Sequence, residues 1–148
     1  MLRRLSRAAV LVIAALAGAS CNNSDAPMTP IAFIGPDNLV ITDVRVGDGA
    51  AAAAGQRIDI AYSLWLYDPR AEESKGTPVV EGGRAQITLT ADSVIEGFVQ
   101  GVPGMKVGGL RRLIIPPSLG YGTTGSSDGA VPPNAWTVFD VQLIAILN

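Results

Sequence analysis

Alternation of apolar and polar residues is the dominant pattern along this chain, and it predicts an antiparallel sheet. It is clearest at 57–68, where every second side chain is apolar or aromatic. Such alternation is typical of a strand with one buried and one solvated face. The predicted inward set there is Ile58, Ile60, Tyr62, Leu64 and Leu66. Further strands are predicted at 39–46, 85–90, 110–115 and 136–147.

One segment after the third predicted strand has helical spacing instead. The apolar residues that would form its single stripe are Val94, Ile95, Phe98, Val99 and Val102. Their spacing predicts a helix of about two turns, which Gly101, Pro103 and Gly104 would end. Because the remaining elements are strands, the sheet must cover this stripe. The predicted fold class is α+β, with an antiparallel sheet of about five strands wrapped around one short helix.

Two stretches lack alternation and are predicted to leave the sheet. Residues 69–83 contain charges, glycines and prolines, and we expect a long excursion in which 77–81 approaches the sheet again. Residues 118–133 form a glycine-rich segment with Tyr121 and paired prolines. Exposed loops of this kind often carry binding residues, so this segment is a candidate binding loop.

The first twenty residues have the order of a secretory signal peptide. Arg3, Arg4 and Arg7 precede an uncharged run at 8–19, which ends in small residues. The run is too short to span a bilayer stably. We therefore expect a signal peptide at 1–20, a flexible tether at 21–37 that is rich in proline and small polar residues, and one domain at 38–148.

Cys21 is the only cysteine, which excludes an intrachain disulfide. Residues 16–21 resemble the end of a bacterial lipoprotein signal, in which the cysteine carries the lipid after cleavage. This resemblance implies lipid attachment at Cys21, membrane association through that lipid anchor only, and a position on the periplasmic side of a bacterial membrane. Residues 17–19 also fit ordinary signal peptidase, which would release a soluble periplasmic or secreted protein.

Charge and composition exclude several function classes. Removal of 1–20 takes away three arginines and no acids, so the net charge changes from −2 to −5. No basic patch remains in the mature chain, which argues against a nucleic-acid partner. The chain has no histidine, so Ser-His-Asp and Cys-His sites are impossible. A zinc site would need carboxylates alone, and we expect neither a metal nor a cofactor.

Short motifs across 39–148 resemble FKBP-type peptidyl-prolyl isomerases. They are Gly47-Asp48-Gly49, Tyr62 within IAYSLWLYD, Val94-Ile95-Glu96-Gly97-Phe98 with Gly101-Val102, Met105-Lys106-Val107-Gly108, Ile115-Pro116-Pro117, Tyr121-Gly122, Val131-Pro132-Pro133-Asn134-Ala135 and Val138-Phe139-Asp140-Val141. Each motif is weak by itself, but their order and spacing are specific as a set. The fold of that family agrees with the sheet and helix predicted above.

The resemblance implies a proline pocket and assigns its residues. Its lining would be Tyr62, Val94, Ile95, Phe98, Tyr121, Val131 and Phe139. Phe98 would form the floor, while the Ile95 backbone N–H and the Tyr121 hydroxyl would donate hydrogen bonds to carbonyls of the bound peptide. From pattern alone, Tyr62 and Phe139 lie on inward strand faces and could equally be core residues. Together with the helix they predict an aromatic-walled cavity between helix and sheet.

This chain also departs from the family pattern at the pocket rim. Val80 and Glu81 stand where the family usually has an aromatic and an acid, and Ala85 replaces a further aromatic. Ala130 stands where a larger aliphatic residue is common. Since apolar contact is worth about 25 cal/mol per Å², these truncations predict a wider pocket, lower isomerase activity and weak binding of macrolide ligands.

The resemblance implies a peptidyl-prolyl cis-trans isomerase that assists folding of proline-containing polypeptides outside the cytoplasm. Rotation about an Xaa-Pro bond has a barrier of about 18–20 kcal/mol and requires no nucleophile. A dry apolar pocket that binds the twisted amide best would lower that barrier. One alternative is a weakly active or inactive FKBP-like module that binds peptides or acts as a chaperone. Another is a structural lipoprotein whose own side chains fill the cavity.

Overall fold

The computed structural model describes residues 33–148, in which five strands and one α-helix form. They are β1 Val40–Arg45, β2 Arg57–Tyr67, β3 Lys75–Thr88, α1 Glu96–Gly101, β4 Leu110–Ile115 and β5 Thr137–Ile146. The strands pair antiparallel in one sheet of order β1-β4-β5-β2-β3. The predicted fold class is therefore confirmed. The signal peptide predicted at 1–20, Cys21 and most of the tether lie outside the described residues.

The core lies between the inner face of the sheet and α1. Strand β2 contributes Ile58, Ile60 and Leu64 as predicted, each at most 3% exposed. Two glycines allow the helix to approach β4 closely: a Cβ atom at Gly97 would lie 2.7 Å from Ile115 Cγ2, and one at Gly101 would lie 2.8 Å from Leu113 Cδ2. Because interiors are close-packed, any side chain at these two positions would push α1 away from the sheet.

Strand β3 differs most from the prediction, since it begins at Lys75 rather than near 85. The excursion predicted at 69–83 is therefore shorter and ends at residue 74, while the predicted return of 77–81 to the sheet is part of this strand. Three register shifts relative to β2 place extra residues on β3. Such bulges destroy the period of two by which a strand is recognised. Pro78 is tolerated because β3 is an edge strand.

Helix α1 and the end of β5 also differ in detail. The helix begins at Glu96, while Ile95 is its extended N-cap residue, with φ −61° and ψ 149°. The pairing of β5 with β2 shifts between Asp59 and Ile60. After this bulge Ile146 packs against the core, and Leu147 is 37% exposed, although alternation predicts Leu147 on the inward face. None of the helices in residues 33–148 is long and apolar enough to cross a membrane.

A network of charged side chains covers part of the outer face of the sheet. Asp140 accepts hydrogen bonds from Arg112 Nε at 2.7 Å and from Lys75 Nζ at 2.7 Å. Glu73 contacts the same two cations, at 2.8 Å from Arg112 and 2.7 Å from Lys75. The Lys75 amine also lies 4.5 Å from the centroid of the Trp65 ring. These contacts join the segment before β3 to β4 and β5.

The last residues of the predicted tether are held against this domain. The Trp136 indole N–H donates to the Pro36 carbonyl at 2.9 Å. The Phe33 ring lies 4.3 Å from the Arg70 guanidinium carbon. A Cβ atom at Gly35 would lie 2.5 Å from Trp136 Cδ1, so the chain passes directly over the indole. Residues 33–36 of the predicted tether therefore pack against the domain through these contacts.

Candidate active site

A cavity of about 470 Å³ lies between the inner face of the sheet, the start of α1 and the loop that follows β4. Its volume is within the ordinary range of small-ligand sites. The residues that line it are Ile60, Tyr62, Ala85, Ile87, Ala91, Asp92, Ser93, Val94, Ile95, Phe98, Tyr121 and Phe139. This open volume disagrees with the alternative in which the protein's own side chains fill the cavity.

Three aromatic rings form the walls, and Phe139 is the central one. The Phe98 and Phe139 rings meet edge to face, with centroids 4.9 Å apart and an interplanar angle of 90°. The Tyr62 and Phe139 rings have centroids 6.4 Å apart and an interplanar angle of 39°. Phe98 is 5% exposed and Phe139 is 3% exposed, so both rings are fixed by packing. They come from α1 and two adjacent strands, and they form a rigid apolar corner.

The backbone of β3 makes room for the Tyr62 ring. Tyr62 is the register partner of Gly83, and a Cβ atom at Gly83 would lie 3.0 Å from both Cε1 and Cζ of Tyr62. The same atom would lie 2.9 Å from Val80 Cγ1. Glycine is therefore the residue that allows the Tyr62 ring to approach the strand this closely.

Polar groups of the cavity are positioned by the N-terminus of α1 and by the loop after β4. The Ile95 N–H donates to no other backbone group of residues 33–148, as expected at the start of a helix. Tyr121 is positioned by the Gly125 N–H, which donates to its carbonyl at 3.1 Å. Burial raises the pKa of the Tyr121 hydroxyl, and the nearby Tyr62 and Asp128 raise it further. The Tyr121 phenol is therefore a neutral hydrogen-bond donor at neutral pH.

The structure brings together six of the seven residues predicted to line a pocket: Tyr62, Val94, Ile95, Phe98, Tyr121 and Phe139. Val131 does not line the cavity, because it is buried in the core with 2% exposure. Its backbone instead closes the loop that carries Tyr121, through hydrogen bonds to Ser126 Oγ at 2.8 Å and from the Ser126 N–H at 2.9 Å.

Of the four residues predicted at the rim, only Ala85 lines the cavity. Val80 packs beside Tyr62 but does not line the cavity. Glu81 is exposed, at a point where the pairing register between β2 and β3 shifts. Ala130 is also exposed, in the loop after β4. The bulges of β3 determine which of its residues lie opposite β2 beside the cavity.

Five lining residues were not predicted: Ile60, Ile87, Ala91, Asp92 and Ser93. Ile60 and Ile87 share the inward faces of Tyr62 and Ala85, so alternation alone could have included them. The other three lie in the irregular connection between β3 and α1, where no periodicity indicates orientation. Among residues 33–148, no group of three or more His, Cys, Asp and Glu side chains is arranged to hold a metal ion.

Comparison with known proteins shows which proteins this chain is similar to. A family model described as FKBP-type peptidyl-prolyl cis-trans isomerase matches residues 49–144. The chain is 39% identical over 115 residues to an FK506-binding protein of Streptomyces anulatus. The aligned region covers 75% of this chain and 88% of that protein. It is 36% identical over 112 residues to an FK506-binding protein of Neisseria meningitidis serogroup A, which covers 74% of this chain and 96% of that protein.

A solved structure agrees with these sequence relationships. The crystal structure of a peptidyl-prolyl cis-trans isomerase from Pseudomonas syringae superposes with a TM-score of 0.62 at 28% identity. The match covers 76% of this chain and 77% of that one. The family match at 49–144 contains β2, β3, α1, β4 and most of β5, the elements that surround the cavity.

Proposed function

This chain belongs to the FKBP-type peptidyl-prolyl cis-trans isomerase family, and we propose that its catalysis takes place in the cavity between α1 and the sheet. It is an isomerase that acts on proline-containing polypeptides. The observation that supports this cavity as the site is the apolar corner of Phe98, Phe139 and Tyr62, with Tyr121 and Ile95 beside it.

In the proposed mechanism the pyrrolidine ring of the substrate enters the aromatic corner. The barrier to rotation, about 18–20 kcal/mol, arises from the resonance of the planar amide. Exclusion of water disfavours the charge-separated planar form, so the twisted amide binds better than the planar one. The Ile95 N–H and the Tyr121 hydroxyl hold the flanking carbonyls during rotation. No covalent bond is made or broken, and no nucleophile or cofactor takes part.

The replacement of an aromatic residue by Ala85 widens this site on the β3 side. Ala85 contributes a single methyl group to the lining. A proline held by fewer contacts gains less binding energy in the twisted state, and we propose lower turnover and weaker macrolide binding than in a relative with an aromatic residue there. The alternative function is a peptide-binding or chaperone module with little or no turnover. It would result if the loss of contacts to the proline were large enough to abolish catalysis.

Turnover of a blocked Xaa-Pro peptide by the purified protein tests the site. We expect Tyr121→Phe to lower kcat/KM several-fold without lowering the unfolding temperature, because it removes one donor and no packing. Tyr62→Phe reports whether the second hydroxyl contributes. Tyr67→Phe, on the same strand but outside the cavity, is the matched control and should retain wild-type turnover. Peptide binding without acceleration of isomerisation would instead favour the binding module.

We also propose that this isomerase acts outside the cytoplasm, where slow prolyl steps of tens of seconds can limit folding. The support is in the sequence: the order of charges and apolar residues at 1–20 and the cysteine at position 21. Lipid attachment at Cys21 would place the domain on the periplasmic side of a bacterial membrane. Incorporation of labelled fatty acid by the wild type, and its loss in Cys21→Ala, is the expected result. An exported but unlabelled wild-type protein would indicate simple signal cleavage.

A further inference from the structure

Asp92 is the single charged side chain among the residues that line the cavity. It is exposed at the mouth, three positions before Ile95. Every salt bridge within residues 33–148 involves other carboxylates, so Asp92 has no cationic partner in the described part of the chain. The mouth of this apolar cavity therefore has one uncompensated negative charge.

The backbone that carries Asp92 is held in place by a tight turn. The N–H groups of Ser93 and Val94 both donate to the Thr90 carbonyl, at 3.0 Å and 3.2 Å. The Thr90 N–H in turn donates to the Thr88 carbonyl at the end of β3, at 2.8 Å. The Asp92 carboxylate is thus attached to a fixed point between β3 and α1, close to where a bound peptide would enter and leave.

None of the basic side chains in residues 33–148 forms an ion pair with Asp92. Residues 33–148 contain twelve acidic and eight basic side chains, and none of the basic ones lines the cavity. Arg84, Arg111 and Arg112 are each paired with a carboxylate of the sheet. A second acid, Asp128, is close enough to Tyr121 to raise the pKa of its hydroxyl. Both nearby charges therefore have the same sign.

We propose that Asp92 is a specificity-determining residue, which favours substrates with lysine or arginine beside the proline and disfavours those with glutamate or aspartate. This inference rests on the proposed use of the cavity for catalysis. Once the proline ring is in the aromatic corner, the side chain of a neighbouring substrate residue extends past the cavity mouth. An exposed ion pair contributes modestly, so each charge should change kcat/KM by about two- to five-fold, with opposite signs for lysine and glutamate.

The experiment compares three peptides that differ only in the residue before proline. Acetylated, amidated peptides with Lys, Gln or Glu there would be followed by NMR exchange, which needs no coupling protease. We expect kcat/KM to fall in the order Lys, Gln, Glu, and the Lys/Glu ratio to approach one at high salt, because screening weakens exposed charges. Asp92→Asn should lower that ratio toward one, and Asp92→Lys should invert it.

Glu72→Gln is the matched control, since Glu72 is an acid of the turn before β3, does not line the cavity and should leave the ratio unchanged. A wild-type ratio near one, or a ratio that Asp92→Asn does not alter, would overturn the inference and leave the proposed site intact. Absence of turnover on all three peptides would overturn both. Thermal unfolding of each variant excludes loss of fold as the cause.

Discussion

Side chains on the two faces of this sheet differ in whether they have partners within the protein. The difference is clearest between two neighbouring residues of β5. Phe139 faces inward and forms the centre of an aromatic corner that leaves an open cavity. Asp140 faces outward, where Arg112 and Lys75 bind it. These outer-face charges are paired within the protein, whereas the Ile95 N–H beside the cavity has no backbone acceptor in residues 33–148. The charged network on the outer face therefore contributes to stability, and the groups around the cavity on the inner face are available to bind a substrate.

The strongest test of this contrast compares Phe139→Ala with Val138→Ala, two adjacent buried residues on opposite faces. Phe139→Ala should cost about 3–5 kcal/mol in the free energy of unfolding, as usual for a buried ring, and should lower kcat/KM more than ten-fold. Val138→Ala should cost about 1–3 kcal/mol, because it removes less volume, and should leave kcat/KM of the folded protein within about two-fold.

Urea unfolding and peptide turnover measure the two effects separately. Should Phe139→Ala be too unstable to assay, Phe139→Leu retains most of the volume and still removes the ring. Equal losses of kcat/KM in the Phe139 and Val138 variants would contradict the division between the faces, because activity would then follow stability alone.

A second test removes the centre of the outer network. Arg112 contacts both Asp140 and Glu73, so Arg112→Met leaves two carboxylates with Lys75 as their remaining cation. The side chains of Arg112 and Asp140 are each 14% exposed, and loss of one member of a partly buried pair should cost about 1–3 kcal/mol in unfolding free energy. Turnover should not change. Reduced kcat/KM in a folded Arg112→Met protein would show that the outer face also controls the cavity.

Acid provides a third test, since hydrogen bonds from Arg112 and Lys75 lower the pKa of Glu73 to about 2. Burial opposes ionisation of Asp140, but hydrogen bonds from the same cations outweigh it and lower its pKa as well. A depressed folded-state pKa gives stability that is present above the ordinary value and lost as pH falls toward the folded value. Unfolding free energy should therefore decline from about pH 4.5 toward 2, and less steeply in Arg112→Met. Parallel declines in both proteins would disprove the role of this network.

The buried residues of the inner face are also easier to predict from the sequence than the contacts of the outer face. The alternation of β2 identified Ile58, Ile60 and Leu64 because a period of two depends only on local backbone geometry. The three bulges of β3 break that period, so alternation does not indicate which face of the strand carries Val80 and Glu81. Nothing local indicates the outer network, because Arg112 meets Asp140 only through the register of β4 with β5.

The turn that holds Asp92 also could not be predicted from local periodicity. Its position depends on two hydrogen bonds to the Thr90 carbonyl rather than on any periodic pattern. Six of the residues that line the cavity belong to the motifs that resemble FKBP-type isomerases. Ala91, Asp92 and Ser93 belong to none of these motifs and lie in the connection before α1, so their position at the cavity could be assigned only from the folded structure.

The smallest expected effect comes from Ala85→Phe, which restores an aromatic wall to the cavity. Ala85 lies opposite Ile60 in the β2–β3 register, and both line the cavity. The added ring should contact a bound proline and raise kcat/KM by about two- to four-fold, with tighter binding of a macrolide such as FK506. Gln86→Phe, one residue away on the other face, adds the same ring where Gln86 now accepts a hydrogen bond from Arg57, and should change neither quantity. If Ala85→Phe lowered turnover while Gln86→Phe did not, the ring would be occupying space that the substrate needs. The space on the β3 side of the cavity would then be required for substrate binding. The difference between the two faces of the sheet would still hold, with an inner face that binds a larger substrate.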